Sequence, residues 1–254
     1  MKYLKTPLVI FVLLVIWQTA VILFKIPEYI LPTPVSALEH LFLPQPDADY
    51  NWVMHIKATL LEIVLAFAVT SVAGISIAIL LAWSDAIRRA SMPLFVFINS
   101  LPIIAVAPLL LLWSGYGLKT NIIIAFLISF FPVVINTGTG LASIEEELLD
   151  LVKYLHGTKL QVFMKLRIPN SLPFIFTGLK ICSTMCVVGA IVGEFIASDR
   201  GLGYIIINSQ YTMDSPPIYA GLMLVSLFGV ALFGLVSLAE RLCIPWARPA
   251  GQEL

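Results

Sequence analysis

Three ionisable residues interrupt stretches of the sequence that are otherwise apolar: Glu62, Lys180 and Glu194. A charge inside a lipid bilayer is costly, so each of them is a candidate functional residue. Lys180 and Glu194 are fourteen residues apart, about 21 Å along a helix, and cannot pair within one helix. Glu62 and Glu194 carry the same sign. Two interpretations remain open: these charges contact a solute, or they serve only the packing of the bundle.

A second group of charges lies between two apolar stretches, at residues 145–171. Apolar residues recur there at helical spacing, with an interruption at Gly157 and a stop at Pro169, which predicts two short amphipathic helices joined by a turn. The segment is either a solvated loop or a docking element, because each helix keeps an apolar stripe that the loop cannot bury by itself. Its acids and bases are Glu145, Glu146, Glu147, Asp150, Lys153, Lys159, Lys165 and Arg167.

The sequence lacks the residues that several other kinds of chemistry require. No Gly-x-x-x-x-Gly-Lys-Ser/Thr loop is present, so the chain offers no phosphate-binding loop for ATP hydrolysis. His40, His55 and His156 are scattered, and no Cys or carboxylate stands near them at the spacing of metal ligands. The net charge is zero, which gives no footprint for nucleic acid. We expect neither an enzyme nor a metal site.

The composition is that of a membrane protein with several spans. Of its 254 residues, 59% are hydrophobic and 12% are charged, against about 25% charged residues in an ordinary soluble domain. A span needs about 20 apolar residues. We therefore predict an all-α membrane protein, a single domain over residues 1–254, with six spans at roughly 7–24, 59–83, 92–113, 120–142, 172–198 and 217–243.

Prolines and glycines indicate where these helices break or end. Pro102 and Pro108 interrupt the third predicted span, which is expected either of kinked helices around a solute path or of simple structural kinks. Thr33 and Pro34 predict the start of a short surface helix over 34–43. Gly201 suits the end of the fifth span, with a loop from there to Pro217.

The distribution of Lys and Arg predicts that both termini face the cytoplasm, and the 145–171 segment with them. Cytoplasmic loops carry an excess of these residues. With this orientation the inside holds ten: Lys2, Lys5, Arg88, Arg89, Lys153, Lys159, Lys165, Arg167, Arg241 and Arg248. The outside holds four: Lys25, Lys57, Lys119 and Arg200.

The 145–171 segment resembles the cytoplasmic signature of binding-protein-dependent ABC importer permeases. That signature reads Glu-Ala-Ala, three residues, Gly, nine residues, Ile-x-Leu-Pro. Here its frame falls, with intact spacing, on Asp150-Leu151-Val152, His156 and Leu166-Arg167-Ile168-Pro169. His156 replaces the glycine, and Gly157, one place later, offers the turn instead.

Further stretches are similar to the nitrate/sulfonate/taurine branch of that family, in the same order along the chain. They are ILPTP at 30–34, LPIIAVAPLLLLW at 101–113, GYG at 115–117, FFPVVINT at 130–137, LPFIFTGLK at 172–180 and VGEFIASDRGLGYII at 192–206.

The resemblance implies the transmembrane subunit of a type I ABC importer in a bacterial inner (plasma) membrane. Two copies of the chain would form a homodimer around the path, and two cytoplasmic ATPases would bind ATP and Mg, so this chain would hold no cofactor. An extracytoplasmic binding protein would deliver the solute. Residues expected to couple to the ATPase are Asp150, Leu151, Val152, His156, Gly157, Leu166, Ile168 and Pro169; those expected along the path are Pro102, Pro108, Lys180 and Glu194.

The alternative is a secondary transporter or channel that works alone. It would favour internal repeats and intramembrane acids suited to ion coupling. We find no clear repeat between residues 1–127 and 128–254 and only two acids in the interior of the predicted spans, Glu62 and Glu194. The substrate stays open among nitrate, sulfonates, taurine, pyrimidines and vitamin precursors. One Lys and two Glu in the spans favour a neutral or weakly charged organic solute over an anion.

Overall fold

The structure, a computed structural model, describes residues 5–42 and 51–247. Within these ranges its regular secondary structure is entirely helical, with no strand. Lys2 and Arg248, two residues used for the predicted orientation, lie outside the described residues. The α-helices are α1 Lys5–Leu23, α2 Pro34–Phe42, α3 Trp52–Trp83, α4 Asp85–Ser100, α5 Ile103–Ser114, α6 Leu118–Ala142, α7 Glu146–Tyr154, α8 Lys159–Val162, α9 Ile168–Ala197, α10 Leu202–Tyr211 and α11 Ser215–Cys243. A π-helix, Phe163–Arg167, joins α8 to α9, and a 3-10 turn, Pro245–Ala247, follows α11.

Four helices in the described part of the chain are long and apolar enough to cross a membrane. They are α3, α6, α11 and the continuous helix Lys159–Ala197, which contains α8, the π-helix and α9. The apolar part of α1, Leu8–Leu23, is shorter. The count of six spans remains a prediction. The number reaches six only if α1 and the bent α4–α5 pair are each counted as one span.

The third predicted span is wrong as a single helix over 92–113. Helices α4 and α5 are bent by 93° at a break between Ser100 and Ile103. A residue before a proline is pushed into extended backbone, and Leu101, before Pro102, has φ −69° and ψ 131°. Pro102 thus ends a helix, whereas Pro108 lies within α5.

Helix α6 packs against both α3 and α9, and glycines allow the closest approach. A Cβ added to Gly189 of α9 would lie 2.5 Å from Cα of Ala125 on α6. One turn further along, a Cβ on Gly193 would lie 2.9 Å from Cα of Asn121. Small residues let membrane helices approach backbone to backbone, which maximises their van der Waals contact. The α6–α9 interface therefore depends on these two positions.

We predict that Gly189→Ala destabilises the protein and that Gly138→Ala does not. The Gly189 methyl group would push α6 and α9 apart, an overpacking cost of about 1–3 kcal/mol. Gly138, on α6, has open space where a Cβ would stand, and alanine there favours the helix. Thermal unfolding of the detergent-solubilised protein checks this, with Gly138→Ala as the control. Equal stability of the two variants would contradict the close approach.

Candidate functional site

The 145–171 segment forms the two short helices that the sequence predicts, α7 and α8. Helix α7 ends at Tyr154, and its last turn is closed by the hydrogen bond from Gly157 N–H to the Val152 carbonyl, 2.8 Å. His156, between them, has φ 54°. This is a Schellman motif, in which one residue in the left-handed conformation ends the helix. That residue is His156.

The expectation that Gly157 supplies the turn in place of the motif glycine is therefore wrong. Left-handed backbone falls on His156, the signature's own glycine position. Gly157 is needed for another reason: a Cβ there would collide with Cγ1 of Val152. Both residues contribute to the turn: His156 supplies the left-handed backbone, and Gly157 avoids the collision by lacking a side chain.

Helix α8 begins at a capping box and runs without interruption into α9. Thr158 Oγ accepts from Gln161 N–H at 3.2 Å, and Gln161 Oε1 accepts from Thr158 N–H at 2.8 Å. The π-helix Phe163–Arg167 ends two residues before Pro169. A proline inside a helix has no N–H and its ring clashes with the preceding turn, so the wider π-turn accommodates it.

The π-helix is fastened to the end of α3. Phe163 is buried and meets Trp83 edge to face, with ring centroids 5.4 Å apart. Arg167 Nη1 donates to the Ala82 carbonyl at 3.4 Å, one of the carbonyls that a helix end leaves without an internal partner. Asn170, in the first turn of α9, donates to Ser143 Oγ at 3.0 Å after the end of α6.

The motif residues divide into an exposed group and a packed group. Asp150, Leu151 and His156 are exposed, while Leu166, Ile168 and Pro169 are half-buried where the segment enters the bundle. Beside the first group, Leu151, Tyr154 and Leu155 leave between 53% and 83% of their surface uncovered. These three side chains form an exposed apolar face beside the charged residues of the segment.

Lys180 of α9 forms an ion pair with Glu240 of α11. Both side chains are about one quarter exposed. Glu240 lies within the sixth predicted span but is not among the intramembrane charges predicted from the sequence. Its spacing of sixty residues from Lys180 gives no signal in the sequence, because the pairing depends on how α11 packs against α9.

Glu194 lies in the interior, and both of its carboxyl oxygens are engaged. Its side chain is 1% exposed. Oε1 accepts from Thr59 Oγ at 2.5 Å, and Oε2 accepts from Gly203 N–H at 2.5 Å. The donors come from α3 and from the first turn of α10, so this carboxyl group joins three helices.

Glu62 approaches the same place from α3. It is 3% exposed, and its Oε1 accepts from Asn121 Nδ2 at 2.9 Å. Both acids belong to one polar cluster, because Thr59, one turn before Glu62 on α3, donates to Glu194. Asn121, which donates to Glu62, packs against Gly193, the residue before Glu194. The structure thus places in one cluster two acids of which the sequence indicates only that they carry the same sign.

The start of α10 is capped by residues of α3 and α9. Gly201 N–H donates to His55 Nδ1 at 2.9 Å, Leu202 N–H donates to Thr59 Oγ at 2.7 Å, and Gly203 N–H donates to Glu194. These are the first donors of a helix, which have no partner inside it. Gly201, with φ 109°, could carry no side chain here, because a Cβ would overlap the Glu194 carboxyl group.

Two expectations about this region are corrected. Gly201 begins α10 rather than ending the fifth span, since α9 already ends at Ala197. The predicted loop up to Pro217 contains the ten-residue helix α10. A signal for the cluster was available: His55, Thr59 and Glu62 stand at i, i+4 and i+7, on one helix face.

Comparison with known proteins decides the family. The family model of the binding-protein-dependent transport system inner membrane components matches residues 70–243. The chain belongs to this family. It is the transmembrane subunit of an ATP-driven importer of the nitrate/sulfonate/taurine branch, and it conducts a small solute that an extracytoplasmic binding protein delivers. It is not itself catalytic; a partner ATPase hydrolyses the ATP.

Several relatives in this family align over nearly the whole chain. The formylaminopyrimidine transport permease protein ThiX of Halalkalibacterium halodurans is 32% identical over 96% of both chains. The riboflavin transport system permease protein RibX of Chloroflexus aurantiacus is 32% identical over 94% of this chain and 89% of its own. The taurine transport system permease protein TauC of Escherichia coli is 29% identical over 92% and 86%.

A solved structure confirms the fold. A chain of the MetNI methionine ABC transporter, in an inward-facing conformation, superposes with a TM-score of 0.62 over 77% of this chain and 99% of its own, at 18% identity. The fold is that of a type I importer permease.

We predict that His156→Gly stabilises the 145–171 segment and that His156→Val destabilises it. A left-handed residue costs about 1–2 kcal/mol for a side chain with a Cβ, and glycine avoids this cost. A β-branched side chain tolerates the conformation worst. Limited proteolysis between α7 and α8 measures the effect, with His156→Asn expected to resemble the parent protein. Faster cleavage of the glycine variant would contradict the assignment of the turn.

Proposed function

We propose that the 145–171 segment is the contact through which the cytoplasmic ATPase drives this subunit. The observation that carries the proposal is the exposed apolar face of Leu151, Tyr154 and Leu155, which nothing in the described chain covers. The polar residues around it suit a surface that alternates between water and a protein partner.

The continuity of the helix Lys159–Ala197 supports a mechanical role. A push on α8 would pass through the π-helix into α9 without meeting a loop. From Arg167 to Glu194 the helix rises about 40 Å, so a movement at the ATPase end would reach the buried cluster at the other end of the bundle. Rigid-body movements of this kind are a common route to alternating access.

We further propose an assembly of two copies of this chain with two ATPases, both termini facing the cytoplasm. One chain supplies half of a two-fold path. ATP and Mg would be held by the ATPases, and this chain would hold no cofactor. The binding protein would dock at the opposite end of the bundle, where α10 lies.

The proposed path runs beside the bend between α4 and α5. Pro102 lines a cavity of about 290 Å³ at the bend, and Pro108 lies one and a half turns further along α5. We assign Lys180 to the inner gate, as the partner of Glu240 that holds α9 to α11. We assign Glu194 to the outer half. Because its side chain is buried, its main role there is to anchor the start of α10.

For the substrate we propose a neutral or weakly charged organic solute. Lys180, the cation that the sequence predicts in a span, is neutralised by Glu240 and is not available to an anion. The names of two relatives, for formylaminopyrimidine and riboflavin transport, support this class. Uptake assays with the native binding protein, comparing a pyrimidine, riboflavin, taurine and nitrate, test it; uptake of nitrate or taurine alone would contradict it.

We predict that Leu151→Asp releases the ATPase while the membrane subunit stays folded. A carboxylate at the centre of an apolar contact costs at least about 1.4 kcal/mol, so the recovered ATPase should fall about ten-fold or more. The intact mass of the complex purified through this chain measures it, and two copies of each subunit are expected for the parent protein. Glu147→Ala, exposed on the same helix, is the control.

Two results would contradict this proposal. A parent protein that purifies stably without any ATPase would make the 145–171 segment an ordinary loop and favour a transporter that works alone. Equal loss in the Leu151 and Glu147 variants would show that α7 as a whole is fragile, and the contact would not lie at Leu151.

We predict that Lys180→Met lowers uptake and that adding Glu240→Gln restores most of it. The single variant leaves the Glu240 carboxylate partly buried without its cation, and the double variant removes both charges. Solute uptake in cells with equal amounts of the complex is the measurement. A double variant no better than the single one would mean that Lys180 acts directly on the solute.

A further inference from the structure

The cluster around Glu62 and Glu194 contains buried acceptor atoms that lack a hydrogen-bond donor among the described residues. Glu194 accepts on both oxygens, from Thr59 and from Gly203. Glu62 accepts from Asn121 on Oε1, but its Oε2 is buried and receives no hydrogen bond from the described residues. A buried polar atom without a partner is costly, and a buried carboxylate that lacks one is more costly still.

The missing donor cannot come from the charged groups nearby. His55, from α3, is engaged by Gly201: its Nδ1 lies 2.9 Å from the Gly201 backbone nitrogen and 3.1 Å from the Gly201 carbonyl oxygen. Asp199 and Arg200, in the loop before α10, are bonded to each other at the surface. Helix α6 contributes Asn121, whose Nδ2 already donates to Glu62 Oε1 and whose Oδ1 is itself a buried acceptor without a donor among the described residues. Tyr204 of α10 is stacked on the His55 ring.

We propose that Glu62 and Glu194 bind one proton between them, carried on Glu62 Oε2 and donated to the Glu194 carboxylate. One proton supplies the donor that Oε2 lacks and removes one of two like charges in an apolar interior. Two carboxylates in contact disfavour the ionisation of the second, because their repulsion is strong where water is absent. The pair then carries a single negative charge, which faces the N–H groups at the start of α10.

This site has a structural consequence for the outer half of the protein. The single charge of Glu194 sits at the amino end of α10, where N–H groups favour an anion. The proton on Glu62 lets α3 and α9 approach with both acids between them. Loss of the proton would set the two carboxylates against each other and free α10 from α3. The inference concerns this chain alone and does not depend on the proposed contact with the ATPase.

The assignment predicts opposite outcomes for two variants of the same kind. Glu62→Gln keeps the arrangement, because its amide N–H₂ takes the place of the proton and its oxygen still accepts from Asn121. Glu194→Gln breaks it, because an amide N–H₂ cannot accept from Gly203 or Thr59. We expect the apparent Tm of the purified complex to stay within about 3 °C for Glu62→Gln and to fall by roughly 5–10 °C for Glu194→Gln.

Infrared spectroscopy detects the proton directly. A protonated carboxyl group has a carbonyl stretch separate from that of a carboxylate. At neutral pH, the spectrum of the complex minus that of Glu62→Gln should show this band, which moves when the sample is transferred to D₂O. Glu39→Gln, at an exposed acid of α2, is the matched control and should show none.

Several results would overturn the proposal. No protonated carboxyl band in the Glu62 difference spectrum would mean that both acids are ionised. A Tm that rises with Na⁺ but not with K⁺, and only while both acids are present, would identify a bound cation instead of the proton. Equal stability of the two variants, or a larger loss with Glu62→Gln, would show that Glu62 is not the donor.

Discussion

A polar group inside an apolar helix bundle has no water to bond to and must find its partner on another helix. This constraint explains where the helices of this subunit meet. Four buried polar residues each form a hydrogen bond with a residue of another helix: Thr59, Glu62, Asn121 and Glu194. In an environment of low dielectric constant, these bonds are strong when complete and costly when broken. The part of the bundle around the start of α10 is therefore held by one polar cluster, and the glycines Gly189 and Gly193 let α9 come close enough to α6 to form it.

Helix α9 connects that cluster to the part of the protein that resembles a coupling element. At one end it continues from α8 through the π-helix, which Phe163 and Arg167 fasten to the end of α3. At the other end it presents Glu194 to the start of α10. The same two helices, α3 and α9, are thus joined near both ends. An ATP-driven importer needs such a connection, because the energy is released on one side of the membrane and the binding protein docks on the other.

Three positions of the chain depart from regular helical backbone, and each has a local cause. The bend at Leu101–Pro102, the π-turn before Pro169 and the left-handed residue His156 each depart from regular helix. The first two follow from a proline, which can neither donate a hydrogen bond nor fit the turn before it. The third puts a strained residue at the position where the family signature carries glycine, and Gly157 relieves the crowding against Val152.

Much of this could be predicted from the sequence, because the signals involved are local. Long apolar runs identify the membrane helices, the charged 145–171 segment stands out against them, and Thr33–Pro34 predicts the start of α2. The spacing of the signature is enough to recognise the family even though its glycine has become His156. Local signals also have a limit. Pro102 indicates in the sequence that the helix is interrupted there, but it does not indicate that the two parts are bent by 93°.

Only the tertiary structure decided which distant residues meet. Glu62 and Glu194, or Lys180 and Glu240, are separated by many residues, and nothing in their spacing indicates that they touch. Helix α10 escapes prediction because its ten residues are too few and too polar to resemble a span, and its first N–H groups are capped from α3 and α9 rather than by its own sequence. The sequence by itself determined that this is a membrane subunit of an importer, since hydrophobicity and motif spacing are properties of neighbouring residues. The pairing of buried charges is a property of helix packing, and it appears only when the helices are placed side by side.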